Sequence, residues 1–230
     1  MRLLFVAADR MEFPGVLARA EEPRPVQLPV RWARSVRLNG HEVLLVVNGI
    51  GWARAAAAVD AAAPGFHPDA VVTTGFCGAL DDGLQTGDVV VGTSIRTASA
   101  VYPVAPLAGG RSSAGAICSL DHVAQTSKEK RQLRATGACA VEMEGAGVAE
   151  RVQVLGLPLY CVKVVTDLAG ETMANDFNKA LRSDGQFDTI GILTASLRQP
   201  TVRIPELIRL RSRCVRAARV LGEFFANCRF

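Results

Sequence analysis

The stretch AVEMEGAG at residues 140–147, together with the run VVTD at residues 164–167, decides the fold of this chain. These two stretches place the carboxylates of Glu144 and Asp167 at the ends of elements that look buried. Because an ionised side chain beside apolar runs is costly unless it is paired or used, the two carboxylates need a functional explanation. We interpret them as part of an active site.

The run from Leu157 to Val165 is almost wholly apolar, which is typical of a central parallel strand covered on both faces. Asp167 follows just past the carboxyl end of that strand. Since ligands of open α/β sheets bind at this edge, it is the expected binding site. The small residues after Glu144, at positions 145–147, let a ligand or another backbone approach closely. A sugar lying on the start of the helix suits this pattern.

Other segments predict the remaining elements of an α/β fold. Apolar or β-branched runs predict strands at residues 1–8, 42–47, 70–74 and 88–93, and Asn39-Gly40 predicts a hairpin at the edge of the sheet. Helices are predicted at residues 14–20, 52–63, 127–134, 173–181 and 187–197, with a further helix after Pro200. Residues 97–116 are predicted to be a loop. The expected architecture is a three-layer αβα sandwich around a mixed, mostly parallel sheet.

Length and composition predict one domain over residues 1–230, with a helical extension from about residue 182. The six cysteines form no CxxC pair, and no metal-ligand spacing appears, so neither a disulfide framework nor a metal site is expected. This usage predicts a reduced, cytoplasmic protein. The first apolar run is too short for a signal peptide or a membrane span.

The formal net charge of +4 comes largely from the carboxy-terminal arginines, which indicates a local basic face rather than a nucleic-acid binder. In the last helix Leu207, Leu210, Cys214, Ala217 and Leu221 form one apolar stripe. Arg209, Arg213 and Arg216 fall together on another face. A solvated arginine face is the preferred interpretation, and weak contact with an anionic membrane surface is the alternative.

Four motifs in order give the chain a resemblance to the nucleoside phosphorylase and nucleosidase superfamily. They are NGIG at 48–51, TGFCGAL at 74–80, VEMEG at 141–145 and VTDLAG at 165–170, within roughly residues 1–180. The branch that the chain most resembles is the 5′-methylthioadenosine/S-adenosylhomocysteine nucleosidases, with hopanoid-associated and futalosine-cleaving nucleosidases as near relatives. The resemblance implies a small nucleoside substrate, no cofactor and a homodimer.

The resemblance also implies roles for the carboxylates in releasing a purine from ribose. Glu12, which the residues alone would explain as an acidic residue near a helix start, is expected to activate the attacking water. Asp167 is expected to protonate the purine near N7, with its pKa raised by the apolar strand. Glu144 is expected to hold the 2′- and 3′-hydroxyls. The remaining expected substrate-binding positions are Glu142, Met143, Gly75, Phe76 and Val123.

The residues beside Gly75 favour hydrolysis over phosphorolysis. Purine-specific phosphorylases hold phosphate with an arginine two residues before this glycine and a serine just after it, where this chain has Thr73 and Phe76. Arg10 and Arg54 are alternative anion ligands, so a purine nucleoside phosphorylase, including one for an adenosylhopane-type substrate, is the second interpretation. A non-catalytic nucleoside-binding protein is the third, and the retained acid and base argue against it.

The residue that stacks on the base is left open. The methylthioadenosine enzymes place an aromatic and an apolar residue where Val123 and Ala124 stand. Phe76, Phe177 and Phe187 are candidates to replace them, and the identity of the 5′ substituent stays undecided. Near this segment, His122 is interpreted as structural.

Overall fold

A computed structural model describes the whole chain, from Met1 to Phe230. Ten strands form its sheet: β1 (Arg2–Ala7), β2 (Glu21–Pro25), β3 (Trp32–Leu38), β4 (His41–Val47), β5 (Ala70–Ala79), β6 (Val89–Arg96), β7 (Val101–Pro103), β8 (Ser113–Ser119), β9 (Ala138–Glu142) and β10 (Leu159–Asp167). The helices are a short 3₁₀ helix (Arg10–Glu12), α1 (Pro14–Leu17), α2 (Trp52–Phe66), α3 (Ser127–Arg134), α4 (Gly145–Leu155), α5 (Phe177–Ala180), α6 (Thr189–Ser196) and α7 (Pro200–Phe225).

The sheet is mixed, as predicted, and part of it closes on itself. Strand β1 lies between β4 and β5, parallel to both, and the predicted hairpin leads through β4 and β3 to the edge strand β2. On the other side β10 pairs with β5 in parallel and with β6 antiparallel, and β8 and β9 lead back from β6 to β5. These five strands form a ring without a free edge, which brings their ends together around one centre.

Helices cover both faces of the sheet, which confirms the predicted three layers. Helices α2 and α4 pack on one face through a core that includes Ala58 and Val148, and α1 and α7 pack on the other through a core that includes Phe5 and Leu221. A Cβ on Gly147 would lie 2.0 Å from the carbonyl oxygen of Trp52. The small residues after Glu144 therefore admit the backbone of α2, and not a sugar, at this point.

Helices α1 and α7 also touch through glycine. A Cβ on Gly222 would lie 1.9 Å from the carbonyl oxygen of Gly15, and a Cβ on Gly15 would lie 2.0 Å from the carbonyl oxygen of Ala218. The two backbones are in direct contact, so α7 lies flat against the start of the chain. This contact places α7 beside the 3₁₀ helix that carries Glu12.

Several boundaries differ from the sequence predictions. The helix predicted at residues 173–181 is reduced to α5, because the carboxylate of Glu206 binds the backbone N–H groups of Ala174 and Asn175 and removes their need for helical partners. Helix α1 ends at Leu17 instead of continuing to residue 20. The predicted loop at 97–116 contains β7 and the start of β8, whose small residues pair between β6 and β9.

Helix α7 carries the predicted apolar stripe, but the two halves of the stripe lie in different surroundings. Cys214, Ala217 and Leu221 are buried in the core, whereas Leu207 and Leu210 are half-buried at the edge of a cavity. No helix combines the length and the apolar character that crossing a bilayer requires.

The predicted arginine face of α7 is only partly correct. Arg213 turns inward and binds both oxygens of Glu171, at 2.8 and 2.9 Å, whereas Arg209 and Arg216 are exposed. A bidentate pair of this kind fixes the guanidinium geometrically. The solvated face therefore lacks Arg213.

Candidate active site

The strand ends that carry the predicted carboxylates meet at one cavity of about 570 Å³. Glu12 follows β1, Glu144 follows β9, and Asp167 is the last residue of β10, so it lies within the strand and not just past it. All three side chains line the cavity, and all three are buried. Folding thus brings Glu12, near the start of the chain, together with two carboxylates that are distant from it in sequence.

Glu12 is held in place by backbone N–H groups. Its Oε2 accepts hydrogen bonds from Ala8 N at 2.8 Å and Asp9 N at 3.0 Å, and its Oε1 accepts one from Phe76 N at 2.9 Å. Burial raises the pKa of Glu12 above its usual value, although the Lys163 ammonium and these hydrogen bonds oppose the rise. Gly75, at φ 122°, lies under this carboxylate, because a Cβ there would be 2.2 Å from Oε1.

Glu142 is fully engaged within the protein. Its oxygens accept hydrogen bonds from Glu144 N at 3.0 Å and Gly145 N at 2.8 Å, and Oε2 lies 2.8 Å from the Lys163 Nζ. Burial pushes the pKa of Glu142 upward, but Lys163 and the hydrogen bonds outweigh it, so the pKa lies below its usual value. Glu142 lines the cavity, yet its bonding capacity serves to hold the start of α4.

Glu144 is left less compensated than Glu142. Its Oε1 accepts one hydrogen bond from Gly51 N at 3.2 Å, and its Oε2 is 3.8 Å from the Lys163 Nζ. Burial raises the pKa of Glu144 to about 7; Lys163 opposes this rise, and the nearby Glu142 and Glu12 carboxylates reinforce it. Glu144 therefore has free acceptor capacity towards the cavity and exchanges its proton near neutral pH.

Asp167 is bound on both oxygens. Oδ2 receives a hydrogen bond from the Lys130 ammonium, and Oδ1 receives one from the Thr166 hydroxyl at 3.1 Å. Burial raises the pKa of Asp167 above its usual value, while Lys130 and Thr166 oppose the rise. A Cβ on Gly78 would lie 2.7 Å from Oδ2, so this glycine leaves room for the carboxyl group.

The walls of the cavity are mostly apolar. Of the residues expected to bind substrate, Met143, Phe76 and Val123 line it, whereas Gly75 does not. The backbone N–H and C=O of Val123 are both bound by the side chain of Asn178, at 2.8 and 2.9 Å. Phe177 and Phe187, which are also candidates for stacking on the base, line the cavity. Their rings contact each other edge to face, with 5.6 Å between the ring centroids.

The arginines considered as anion ligands do not lie in the cavity wall. Arg10 is exposed, and Arg54 donates through Nη2 to the carbonyl of Ser183 at 2.9 Å. Among the arginines and lysines, only Arg211 of α7 lines the cavity. Thr73 is fully buried in β5. The cation nearest the turn where a phosphorylase would hold phosphate is Lys163, whose Nζ donates to the Thr74 carbonyl at 3.1 Å and is paired with Glu142 at 2.8 Å.

Two buried lysines at the site were not predicted from the sequence. Lys163 is a single cation within the apolar run of β10, which itself is a signal that a partner must exist. Lys130 lies in the charged segment SKEKRQLR of α3, where neighbouring charges hide its burial. No group of three or more His, Cys, Asp or Glu side chains is arranged to hold a metal ion.

His122 is at the cavity wall, between two carboxylates. Its ring nitrogens lie 2.7 Å from Asp121 and 2.7 Å from Glu129. The hydrogen bonds to these two carboxylates raise the pKa of His122 above its usual value. Both ring nitrogens are occupied, which agrees with a structural role.

Comparisons with known proteins show the family of this chain. The family model described as "Phosphorylase superfamily" matches residues 24–113 and 105–197. Among sequences, a 5′-methylthioadenosine/S-adenosylhomocysteine nucleosidase of Actinobacillus succinogenes is 28% identical over 63% of this chain and 76% of its own length. The corresponding protein of Aeromonas salmonicida is 25% identical over 81% of this chain and 94% of its own length.

A solved structure has the same fold. The 5′-methylthioadenosine/S-adenosylhomocysteine nucleosidase of S. pneumoniae, with the transition-state inhibitor MT-ImmA, superposes with a TM-score of 0.72. The match covers 98% of this chain and 99% of that one, at 19% identity. At this identity the likeness shows a common fold, including the helices after β10.

Proposed function

The chain belongs to the phosphorylase superfamily, and from this premise we propose that it is a nucleosidase. It hydrolyses the N-glycosidic bond of a purine nucleoside, with adenine as the base and a modified 5′ position, as in 5′-methylthioadenosine or S-adenosylhomocysteine. One observation carries the proposal: Glu12, Glu144 and Asp167 line the same cavity. A protein that only bound nucleosides would need no buried acid and base in one cavity.

The proposed reaction divides between the two ends of the breaking bond. As the C1′–N9 bond opens, positive charge develops on the sugar and negative charge on the purine. Glu12 takes a proton from the attacking water, and Asp167 gives one to the purine near N7. Such general acid–base catalysis typically contributes ~10²–10⁴-fold each. Glu144 accepts hydrogen bonds from the ribose hydroxyls, and its negative charge favours the developing positive charge of the ring.

One contact and the charge around the Gly75 turn favour water over phosphate as the nucleophile. The Phe76 N–H, which an anion at the Gly75 turn would need, already donates to Glu12. Thr73 and Phe76 supply no positive charge, and the nearby Lys163 ammonium is already paired with Glu142. A doubly charged anion would therefore be desolvated without a free cation and repelled by Glu12. Water avoids both penalties and gains a base.

The apolar cavity wall supports a substituent at the 5′ position. Met11, Met173, Leu207 and Leu210 lie among the lining residues, and their side chains offer no strong hydrogen-bond partner to a bare 5′-hydroxyl. An apolar surface of this kind gains free energy from a thioether or alkyl group, at about 25 cal/mol per Å² of apolar area buried.

Product identity tests the proposal. The protein is incubated with 5′-methylthioadenosine in phosphate and in a phosphate-free buffer, and the sugar product is identified. We expect a free reducing sugar in both, at equal rates. A sugar 1-phosphate as the main product would show that Arg211, or a rearranged Arg10 or Arg54, binds the anion, and a purine nucleoside phosphorylase would then be the function.

The Glu12→Gln variant tests the base separately. Glutamine keeps the side-chain volume but cannot take the proton, so we expect a loss of hydrolysis of about 10²-fold or more with retained binding of a substrate analogue. Hydrolysis at the wild-type rate in this variant would remove Glu12 from the mechanism. Simultaneous loss of binding would point to misfolding instead.

Assembly and location complete the proposal. We expect one domain over residues 1–230, a homodimer and a location in the cytoplasm, where all six free cysteines stay reduced. A monomer in sedimentation at micromolar concentration would refute the dimer. Weak contact with an anionic membrane surface would be made by the exposed Arg209 and Arg216 of the arginine-rich helix α7. Failure to co-sediment with anionic vesicles would exclude it.

A further inference from the structure

Lys130 is the one cation that binds the proposed acid directly. It projects from α3 into the protein interior and is fully buried. Its Nζ donates to Asp167 Oδ2 and to the backbone carbonyl of Leu168 at 2.7 Å. Burying a lysine ammonium is costly, so a residue type that merely filled this space would be apolar. The charge itself must have a use here.

We propose that Lys130 is a positioning residue for the acid: its ammonium fixes the Asp167 carboxyl group and stabilises the carboxylate that remains once the purine has taken the proton. The inference rests on the proposed function for the role of Asp167, but the pairing itself can be measured without substrate. Lys130 acts through Asp167 and does not line the cavity.

The proton balance explains why an acid should have a cationic partner. The electron pair of the C1′–N9 bond moves to the purine, the Asp167 proton moves to the purine nitrogen, and a carboxylate is left in a buried site. Without a cation, that carboxylate would be strongly disfavoured, and proton donation would be correspondingly difficult. With the Lys130 ammonium in place, the carboxylate that remains after proton transfer is paired with a positive charge. Glu12, which has taken a proton from the attacking water, releases that proton to the solvent, and the solvent returns a proton to Asp167.

The remaining charged groups around Asp167 do not replace Lys130. The Glu171 carboxylate, in the loop after β10, repels an ionised Asp167 and so favours its protonated form. Arg213 of α7 pairs with both oxygens of Glu171 and neutralises this charge. Two buried thiols, Cys77 of β5 and Cys214 of α7, are the other titratable neighbours, and burial raises the pKa of each. Both thiols are neutral at the pH of the reaction and supply no charge. Lys130 is therefore the charged group that forms an ion pair with Asp167.

The first experiment titrates Asp167 in the ligand-free protein. Aspartate is labelled with ¹³C at the carboxyl carbon, and the Asp167 signal is assigned by its loss in Asp167→Asn. Lys130→Met removes the charge and keeps the chain length, so we expect the titration midpoint of Asp167 to rise by about 1–3 pH units. Lys128→Met, an exposed lysine on the same helix, is the matched control and should leave the midpoint unchanged. An unchanged midpoint in Lys130→Met overturns the inference.

A measurement on the wild type covers the case in which Lys130→Met fails to fold. With ¹⁵N-labelled lysine, the Lys130 Nζ signal should shift at the same midpoint as the Asp167 carboxyl signal, because the two groups share a hydrogen bond. A Lys130 signal that does not respond to that titration contradicts the pairing. Neither readout depends on turnover, so both can succeed even if the proposed nucleosidase reaction is refuted.

The pH dependence of turnover then separates positioning from a structural role. In Lys130→Met the basic limb of kcat/KM for 5′-methylthioadenosine should move upward by the same interval as the Asp167 midpoint, with kcat lower by about tenfold and KM nearly unchanged. Lys130→Arg should restore most of kcat and return the limb towards the wild-type position. A loss of kcat/KM that is equal at all pH values, with the basic limb in its wild-type position, would indicate that Lys130 only anchors α3. No recovery of kcat in Lys130→Arg would indicate the same.

Discussion

Replacing Lys163 by methionine should destabilise the protein far more than a typical substitution. The Lys163 ammonium lies 2.8 Å from the Glu142 carboxylate, 3.1 Å from the carbonyl oxygen of Thr74 and 3.8 Å from Glu144. Removing one partner of a buried ion pair usually costs about 3–5 kcal/mol, because the other charge is left buried and uncompensated. For a domain with about 5–15 kcal/mol of stability, this is a large fraction.

The size of the loss should depend on pH in a defined direction. In the wild type the folded-state pKa of Glu142 is below its usual value of 4.5, so its stabilising contribution is present above that pH and is lost on acidification. In Lys163→Met burial is unopposed by the ammonium and raises this pKa, so the carboxylate destabilises the fold above about pH 4.5. The difference between the two proteins should therefore be full at pH 7 and shrink towards pH 4.

Urea unfolding at pH 7 and pH 4 measures this difference. Lys128→Met should stay within about 0.5 kcal/mol of the wild type, because Lys128 is exposed. Adding Glu142→Gln to Lys163→Met should recover much of the loss, since the uncompensated charge is gone. A stability of Lys163→Met within about 1 kcal/mol of the wild type, or an equal loss at both pH values, would refute the reasoning.

Three further changes have defined outcomes. Asp167→Asn should reduce purine release by about 10²-fold or more while the far-UV spectrum and cooperative unfolding are retained, and near-wild-type turnover would remove Asp167 from the mechanism. Glu144→Gln should raise the free energy of unfolding at pH 8 by about 1–3 kcal/mol and should weaken inhibitor binding, because a folded-state pKa of about 7, above the unfolded value of 4.5, makes the ionised Glu144 destabilising at that pH. The gain should disappear towards pH 4, and a variant as stable as the wild type at pH 8 would contradict this. Gly222→Ala should cost about 1–3 kcal/mol in urea unfolding, because the added Cβ meets the Gly15 carbonyl, whereas Gly170→Ala, with open space around it, should cost less than half as much.

The sequence predicts the site better than it predicts the support for the site. Glu144 and Asp167 stand out because charge beside an apolar run is unusual, and the resemblance adds Glu12. Their partners follow from packing, which sequence periodicity does not encode. Lys130 is one of several charges in a helix that looks solvated, and only the packing of α3 against β9 and the contact of Lys130 with Asp167 reveal that it points inward. Lys163 is visible as an anomaly, but its partner is set by strand pairing.

The misjudged elements have a similar cause. Strand β8 has small residues and no β-branched run at its start, so local propensity predicts a loop; pairing with β6 and β9 overrides that propensity. The helix expected at residues 173–181 is shortened because a distant carboxylate, Glu206, takes over the backbone donors. The closure of five strands into a ring likewise depends on the pairing of β10 with both β5 and β6, which cannot be predicted from any single segment of the sequence.

The packing of α7 against the first helical turns has a consequence for biosynthesis. Strands β1, β4 and β5 pair within the first eighty residues, whereas the helix that covers them and completes the cavity beside Glu12 is translated late. A nascent chain therefore exposes one apolar face of its sheet until α7 has left the ribosome. Enzymatic competence should appear abruptly at that stage, and chaperones that bind apolar surfaces should engage the chain up to it.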